Sequence, residues 1–360
     1  MNMCYHPWVG LDVSPQGDFK PCCKFSDVLG KNLSEYKQHP RLKQLRQDFI
    51  DGKKNDGCAR CWQDENAGLP SKRTLDNEYI FKNTVPDLSS IKVASVPFGN
   101  ICNLACRICG SYSSSKWTSE SKKLISLIPE IKIFEHSKYY DDPEFMSVLK
   151  DELQNLIHLD IPGGEPFFSN SDIHLKFLES ISAETIHYTT NGTIFPSTEL
   201  LDAWQKFKRV DIQISVDGVG KVFEYSRWPA KWSDVYQNIK RYQDLNLPNL
   251  QISISHSVSV FTISQLPEFL LWCREERLPD PYLGIVTRPE HYSITILPKE
   301  AKQWLTEKLG DHPIVFHLWS KDNSEYIDKF KKYVKILDKQ RQQNFAETFP
   351  ELQQFLNLDL

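Results

Sequence analysis

No apolar run in this 360-residue chain approaches the roughly 20 residues that a membrane-spanning helix requires, which argues against a membrane protein. Charge of one sign is also missing. Lys and Arg total 43 against 47 Asp and Glu, a formal net charge of −4, and no basic stripe marks a nucleic-acid footprint. The opening residues, Met1-Asn-Met-Cys-Tyr-His-Pro7, lack the basic and apolar regions of a secretory signal. A soluble, cytoplasmic protein is expected, with no membrane partner and no nucleic-acid partner. Cysteine nearly vanishes from the later two thirds of the chain: of nine, only Cys273 lies beyond Cys109. In a reducing compartment, eight thiols crowded into the first third point to metal or redox work and away from structural disulfides. The length allows about two domains.

The organising stretch is Cys102-Asn-Leu-Ala-Cys106-Arg-Ile-Cys109, directly after the apolar run Ile91–Phe98. Thiolates at such spacing on one loop suit an iron–sulfur cluster. A cubane cluster has four irons, and three local thiols leave one iron free of protein ligands. An open coordination position distinguishes reacting metal sites from structural ones. Further on, Ile161-Pro-Gly-Gly-Glu-Pro166 follows a second apolar run. C-x3-C-x2-C followed by a Gly-Gly-Glu-Pro turn resembles the radical SAM superfamily.

That resemblance implies a 4Fe–4S cluster held by Cys102, Cys106 and Cys109, with S-adenosylmethionine (SAM) chelated at the open iron. Reductive cleavage of SAM then gives a 5′-deoxyadenosyl radical that abstracts a substrate hydrogen atom, with a flavodoxin or ferredoxin as electron donor. It also implies an α/β fold, a partial (β/α)6 barrel of TIM type. The residues agree: apolar runs recur at 91–98, 156–161, 185–188, 210–216, 250–258 and 282–286, separated by amphipathic stretches such as 117–128, 173–181, 232–242 and 266–273. Such alternation predicts parallel strands joined by crossover helices, with chemistry at the carboxyl ends of the strands.

Ahead of the barrel, residues 1–85 predict a β-hairpin around Ser14-Pro-Gln-Gly17, then a helix over 33–50 with Leu42, Leu45, Phe49 and Ile50 on one face. Cys4, Cys22 and the pair Cys58-Ala-Arg-Cys61 offer four thiols. This set resembles the shorter auxiliary-cluster module called twitch, a relative of SPASM, although in the family that module usually follows the barrel. A Cys4-type zinc site is the alternative occupant. Cys23 competes with Cys22 as ligand; otherwise it is a small buried hydrophobe. The barrel is expected over 86–295. Residues 296–360 turn helical, at 299–309, 326–337 and 351–358, and read as a cap.

By the resemblance, Gly163, Gly164 and Glu165 receive the SAM ammonium. Asn191, Ser215 and Asp217, at the next two strand ends, serve the ribose and methionyl groups. Arg227 takes the carboxylate, for which a guanidinium fork is suited. Ile108 packs on adenine or simply anchors the loop. Asn191-Gly192 and Asp217-Gly218 are also ordinary turn pairs. Two weaker catalytic candidates are Cys273, as a hydrogen-atom donor or a core helix residue, and His256, as an acid or base facing the barrel interior or a structural histidine. The expected substrate is a ribosomally made peptide, altered by epimerisation, crosslinking or backbone excision. A small molecule or carbohydrate is the alternative, and a non-catalytic zinc-bearing binding module is the alternative of another class.

Overall fold

Eight strands form one sheet in the order β2-β1-β3-β4-β5-β6-β7-β8. They are β1 (Gly10–Val13), β2 (Phe19–Lys20), β3 (Val93–Ser95), β4 (Leu156–Ile161), β5 (Ala183–Thr190), β6 (Arg209–Ser215), β7 (Leu250–Val258) and β8 (Tyr282–Ile285). The architecture comes from a computed structural model that describes residues 3–66, 68, 70–168 and 171–358. Neighbours from β3 to β8 run parallel, with a helix-bearing crossover between each pair, giving the six-strand partial barrel expected of the six apolar runs. The hairpin β1–β2 adds to the same sheet, β1 parallel to β3 and β2 antiparallel to β1. Backbone hydrogen bonds therefore join the N-terminal segment to the barrel.

Side chains alternate across the sheet. Leu159, Ile161, Ile186, Tyr188, Ile212, Ile214, Ile254 and Val258 are fully buried. They share the core with helix residues such as Phe177, Trp204, Ile239 and Phe269. The opposite, inner face is polar: Asp12, Ser95, Asp160, His187 and Asp211 stand in one register row across β1, β3, β4, β5 and β6. The N-terminal segment covers part of this face. Cys23 and Lys72 line a cavity with Asp12, Ser95 and Asp160, and Arg60 donates to Thr287 Oγ1 beyond β8 at 2.8 Å.

The helix expected over 33–50 is two helices, Leu33–Gln38 and Pro40–Ile50. Pro40 cannot donate to the preceding turn and drives the residue before it extended. His39 accordingly sits at ψ 128° and caps the second helix, its side chain accepting from Arg41 N. Leu42, Leu45 and Phe49 are buried as expected, whereas Ile50 is exposed at the helix end. The C-terminal helices are Lys299–Leu309, Ile314–Trp319, Ile327–Arg341, Phe345–Thr348 and Pro350–Leu356. Among the described residues no helix is long and apolar enough to cross a membrane.

Candidate active site

The loop Cys102–Cys109 lies beyond the end of β3 and is stitched down by its backbone. Ala105 N donates to Trp228 O and Arg107 N to Ser226 O, both at 2.8 Å, and Cys109 N donates to Cys106 O at 3.0 Å. Ser115 Oγ accepts from Cys102 N at 3.1 Å, Ser114 Oγ donates to Leu104 O at 2.6 Å, and Trp117 Nε1 donates to Cys106 O at 2.7 Å. The three thiols are thus presented by a loop with little freedom. Burial pushes the Cys102 and Cys109 thiols up to about 12, with Cys106 adding to each, and raises Cys106 as well. A cationic metal cluster would hold these three thiols as thiolates.

Arg107, inside the motif, has no expected role in the sequence reading. Its side chain is fully buried, ion-paired with Asp338 of the helix Ile327–Arg341, and stacked 3.7 Å from the Tyr225 ring centroid. From the end of the same helix Arg341 makes a two-point contact with Glu120, at 2.9 and 2.6 Å, and packs near Trp117 and Trp228. The C-terminal segment is therefore more than a cover: two buried ion pairs tie it to the cysteine loop and the helix that follows it. Only the motif position of Arg107 was visible in sequence.

The glycine pair after β4 docks against the chain entering this loop. Gly163 and Gly164 have φ of 86° and 54°. A Cβ on Gly164 would lie 2.1 Å from Ile101 O, and one on Gly163 would lie 2.6 Å from Pro97. Glycine is required here for backbone conformation and close approach together. Glu165 N donates to Ile101 O at 2.7 Å. The Glu165 carboxylate accepts from Thr190 Oγ1 at 2.7 Å, Asn191 N at 2.6 Å and Phe167 N at 3.3 Å. Burial still lifts it to about 7. It braces two strand ends and retains lone pairs for a further donor.

The remaining expected residues converge on the same end of the sheet. Asn191 Nδ2 donates to Asn103 Oδ1 at 2.9 Å and approaches Cys102 Sγ at 3.8 Å. Ser215 Oγ accepts from Ser255 Oγ at 3.3 Å. Asp217 accepts from Ser257 N at 2.7 Å and pairs with Arg227 at 2.9 Å. Arg227 is buried; burial opposes its charge, but Asp217 and the nearby Cys106 and Cys109 raise its pKa overall. Its Nε has no hydrogen-bond partner. A buried guanidinium donor without an acceptor beside two of the loop thiols fits the carboxylate end of SAM. Ile108 is half-buried against the core.

Two weaker candidates fall elsewhere. His256 does not face the inner side: it stacks on Phe269 of the helix Leu266–Glu275 at 4.2 Å, and its Nδ1 hydrogen-bonds Val216 O at 2.9 Å. Strand alternation puts it with Ile254 and Val258 among the helix-facing residues. Cys273 is on the buried face of that same helix, its thiol pushed up to about 12 by burial. Both pack in the core, in line with the structural alternative given for each.

The N-terminal thiols also gather. Burial raises Cys4, with Cys58 and Cys61 adding to the effect; burial raises Cys22, with Cys23 and Cys4 adding; burial lifts Cys58 to about 12, with Cys61 adding. Cys22 therefore lies with Cys4. Cys23 is no buried hydrophobe: it has accessible surface, on the inner cavity beside Asp12, Lys72 and Asp160.

The parallel partial barrel thus carries three loop thiols, a glycine-dependent turn and an unsatisfied guanidinium at its strand ends. Among protein families, residues 96–273 match the Radical SAM superfamily. Residues 96–273 are thus a Radical SAM domain. No curated protein matches it. Similar solved structures include native anSMEcpe with bound AdoMet, at 15% identity over 66% of this chain and 62% of that one, TM-score 0.41. Another is Streptococcus suis SuiB bound to precursor peptide SuiA, at 15% identity over 86% and 64%, TM-score 0.38. The chain spans 62% and 64% of the lengths of these two proteins.

Proposed function

We propose that the enzyme uses Cys102, Cys106 and Cys109 to hold a 4Fe–4S cluster and modifies a ribosomally made peptide, by an outcome such as epimerisation, crosslinking or backbone excision. When bound, the cluster and SAM supply a 5′-deoxyadenosyl radical for hydrogen-atom abstraction. The chain's own residues bind and orient. Arg227 offers its free Nε to the methionyl carboxylate while Asp217 fixes the guanidinium. Glu165 and the Gly163–Gly164 backbone receive the ammonium. Asn191 and Ser215 would serve the ribose, and Ile108 the adenine. The orphaned Arg227 Nε carries this assignment.

We further propose residues 1–85 as a twitch-like module in which Cys4, Cys22, Cys58 and Cys61 close an auxiliary 4Fe–4S cluster, residues 86–295 as the catalytic barrel, and 296–360 as a helical cap. The electrostatic coupling of Cys4 with Cys22, Cys58 and Cys61 supports the auxiliary cluster, and the resemblance of the cysteine spacing to modules of peptide-modifying enzymes supports the peptide. A flavodoxin or ferredoxin in the cytoplasm is the proposed electron source. Anaerobic reconstitution with strong reductant tests the reading. The expected result is about eight irons per chain, from two four-iron clusters, and 5′-deoxyadenosine formed from SAM. No 5′-deoxyadenosine would remove the assignment, and stoichiometric zinc at the N-terminal thiols would remove the auxiliary cluster.

A further inference from the structure

The inner face of the sheet carries a group of side chains that SAM binding does not use. His158 and Asp160 are two apart on β4 and point the same way. His187 stands directly across from Asp160 on β5. His158 Nε2 lies 3.1 Å and His187 Nδ1 2.7 Å from the same oxygen, Asp160 Oδ1. All three donor atoms lie within 4.8 Å of one another. Their side chains are 15%, 23% and 21% exposed, so the cluster has access to solvent from the inner face.

We propose that His158, Asp160 and His187 form a divalent transition-metal site whose open coordination positions take an anionic group of the substrate. Two imidazoles and one carboxylate suit first-row divalent ions, and three protein ligands leave positions for an incoming ligand. Adjacent parallel strands fix the three groups by backbone register, so little ordering is left for an ion to impose. Lys72, on the same cavity as Asp160, directs its ammonium to Asp76 at 2.8 Å. The neighbouring wall, with Asp12, Ser95, Cys23 and Lys72, provides polar contacts beside the ion. From Asp160 to Gly163 is three residues, about 10 Å along an extended chain. A substrate anchored at the ion would reach the strand ends with a small spacer. This role in holding substrate rests on the SAM site proposed above; the metal site itself does not.

The test uses Mn2+, which prefers nitrogen and oxygen donors to thiolates, added anaerobically to the reconstituted, desalted enzyme. Loss of the free six-line electron paramagnetic resonance signal counts bound ion, and nitrogen modulation in the spin echo detects imidazole ligation. The expected result is one Mn2+ per chain with nitrogen modulation, bound at least tenfold more weakly by H187Q, an amide of similar reach, and not detectably by the H158A/H187A double variant. No binding up to millimolar Mn2+, binding without nitrogen modulation, or binding unchanged in H187Q would overturn the site. These readouts do not require SAM cleavage, so an enzyme that fails to make 5′-deoxyadenosine but binds Mn2+ in this way would sink the SAM assignment and leave the metal site standing.

Discussion

The two cysteine sets are built on opposite plans. Cys102, Cys106 and Cys109 lie on one loop, tied to the C-terminal helix Ile327–Arg341 through Arg107–Asp338, a pair in which the side chains are 0% and 6% exposed. Cys4, Cys22 and the pair Cys58 and Cys61 come from three separate segments. Between them, Arg41 reaches the exposed carboxylates of Asp27 and Asp56, and the Trp62 indole donates to Asn55 O at 2.8 Å. The first site is local in sequence and locked by distant buried charge. The second is distant in sequence and joined by the exposed pairs of Arg41 together with buried ones, His6–Asp76 and Arg73–Glu65, within its own segment. The comparison implies that the catalytic set depends on the far end of the chain while the N-terminal set depends on its own hairpin and helices.

The largest effect that would break this comparison comes from removing each set. Replacing Cys102, Cys106 and Cys109 together with Ala should abolish 5′-deoxyadenosine formation and leave about four irons per chain. Replacing Cys4, Cys22, Cys58 and Cys61 with Ala should also leave about four irons, but retain SAM cleavage without product. Iron analysis paired with chromatography of SAM products reads both. SAM cleavage surviving the first replacement would show that the sets had been assigned the wrong way round.

The next effect separates buried from exposed charge. Asp338→Ala strands the Arg107 guanidinium against the Tyr225 ring, and it also removes the acceptor of Tyr225 OH at 2.8 Å and Phe345 N at 2.7 Å. Breaking one partner of a buried pair costs about 3–5 kcal/mol, so thermal unfolding of the reconstituted enzyme should shift down by many degrees, with iron lost from the catalytic loop. Asp27→Ala removes a solvent-screened partner of Arg41 and should leave the unfolding temperature unresolved from wild type. Equal shifts in the two variants would mean that burial does not decide the matter.

Much of this was legible in the residues. The six barrel strands, the hairpin and the helix Lys299–Leu309 follow from periodicity and turn residues, and the Cys and Gly-Gly-Glu motifs locate the strand-end site. What escaped reading was relational. Arg107 is visible between Cys106 and Ile108, but its partner lies 231 residues away. The Pro40 break was masked because Leu42, Leu45 and Phe49 keep a helical period by themselves. His256 stayed open between an inward and a structural role because a histidine on a strand does not show its face until Ile254 and Val258, two residues to either side, are seen buried on that same face. The same alternation applied to Leu156–Ile161, where His158 and Asp160 interrupt an apolar run at period two, would have marked a polar inner face.

The smallest effect sharpens the comparison within the catalytic site, because Glu165 links the loop to its neighbours by hydrogen bonds and not by an ion pair. Burial raises its carboxyl from 4.5 to about 7 despite the Thr190, Asn191 and Phe167 donors. A carboxyl so placed is neutral below about 7 and accepts an ammonium well only when ionised. SAM affinity of the reconstituted enzyme should therefore rise by about tenfold from pH 6 to pH 8, the change expected for one group titrating near the middle of that range. Glu165→Gln holds the brace without the charge, and it should bind SAM more weakly at pH 8 with a nearly flat profile. Equilibrium binding at a series of pH values distinguishes the cases. A wild-type profile as flat as that of the variant would leave Glu165 as a brace alone and assign the ammonium to the Gly163–Gly164 carbonyls.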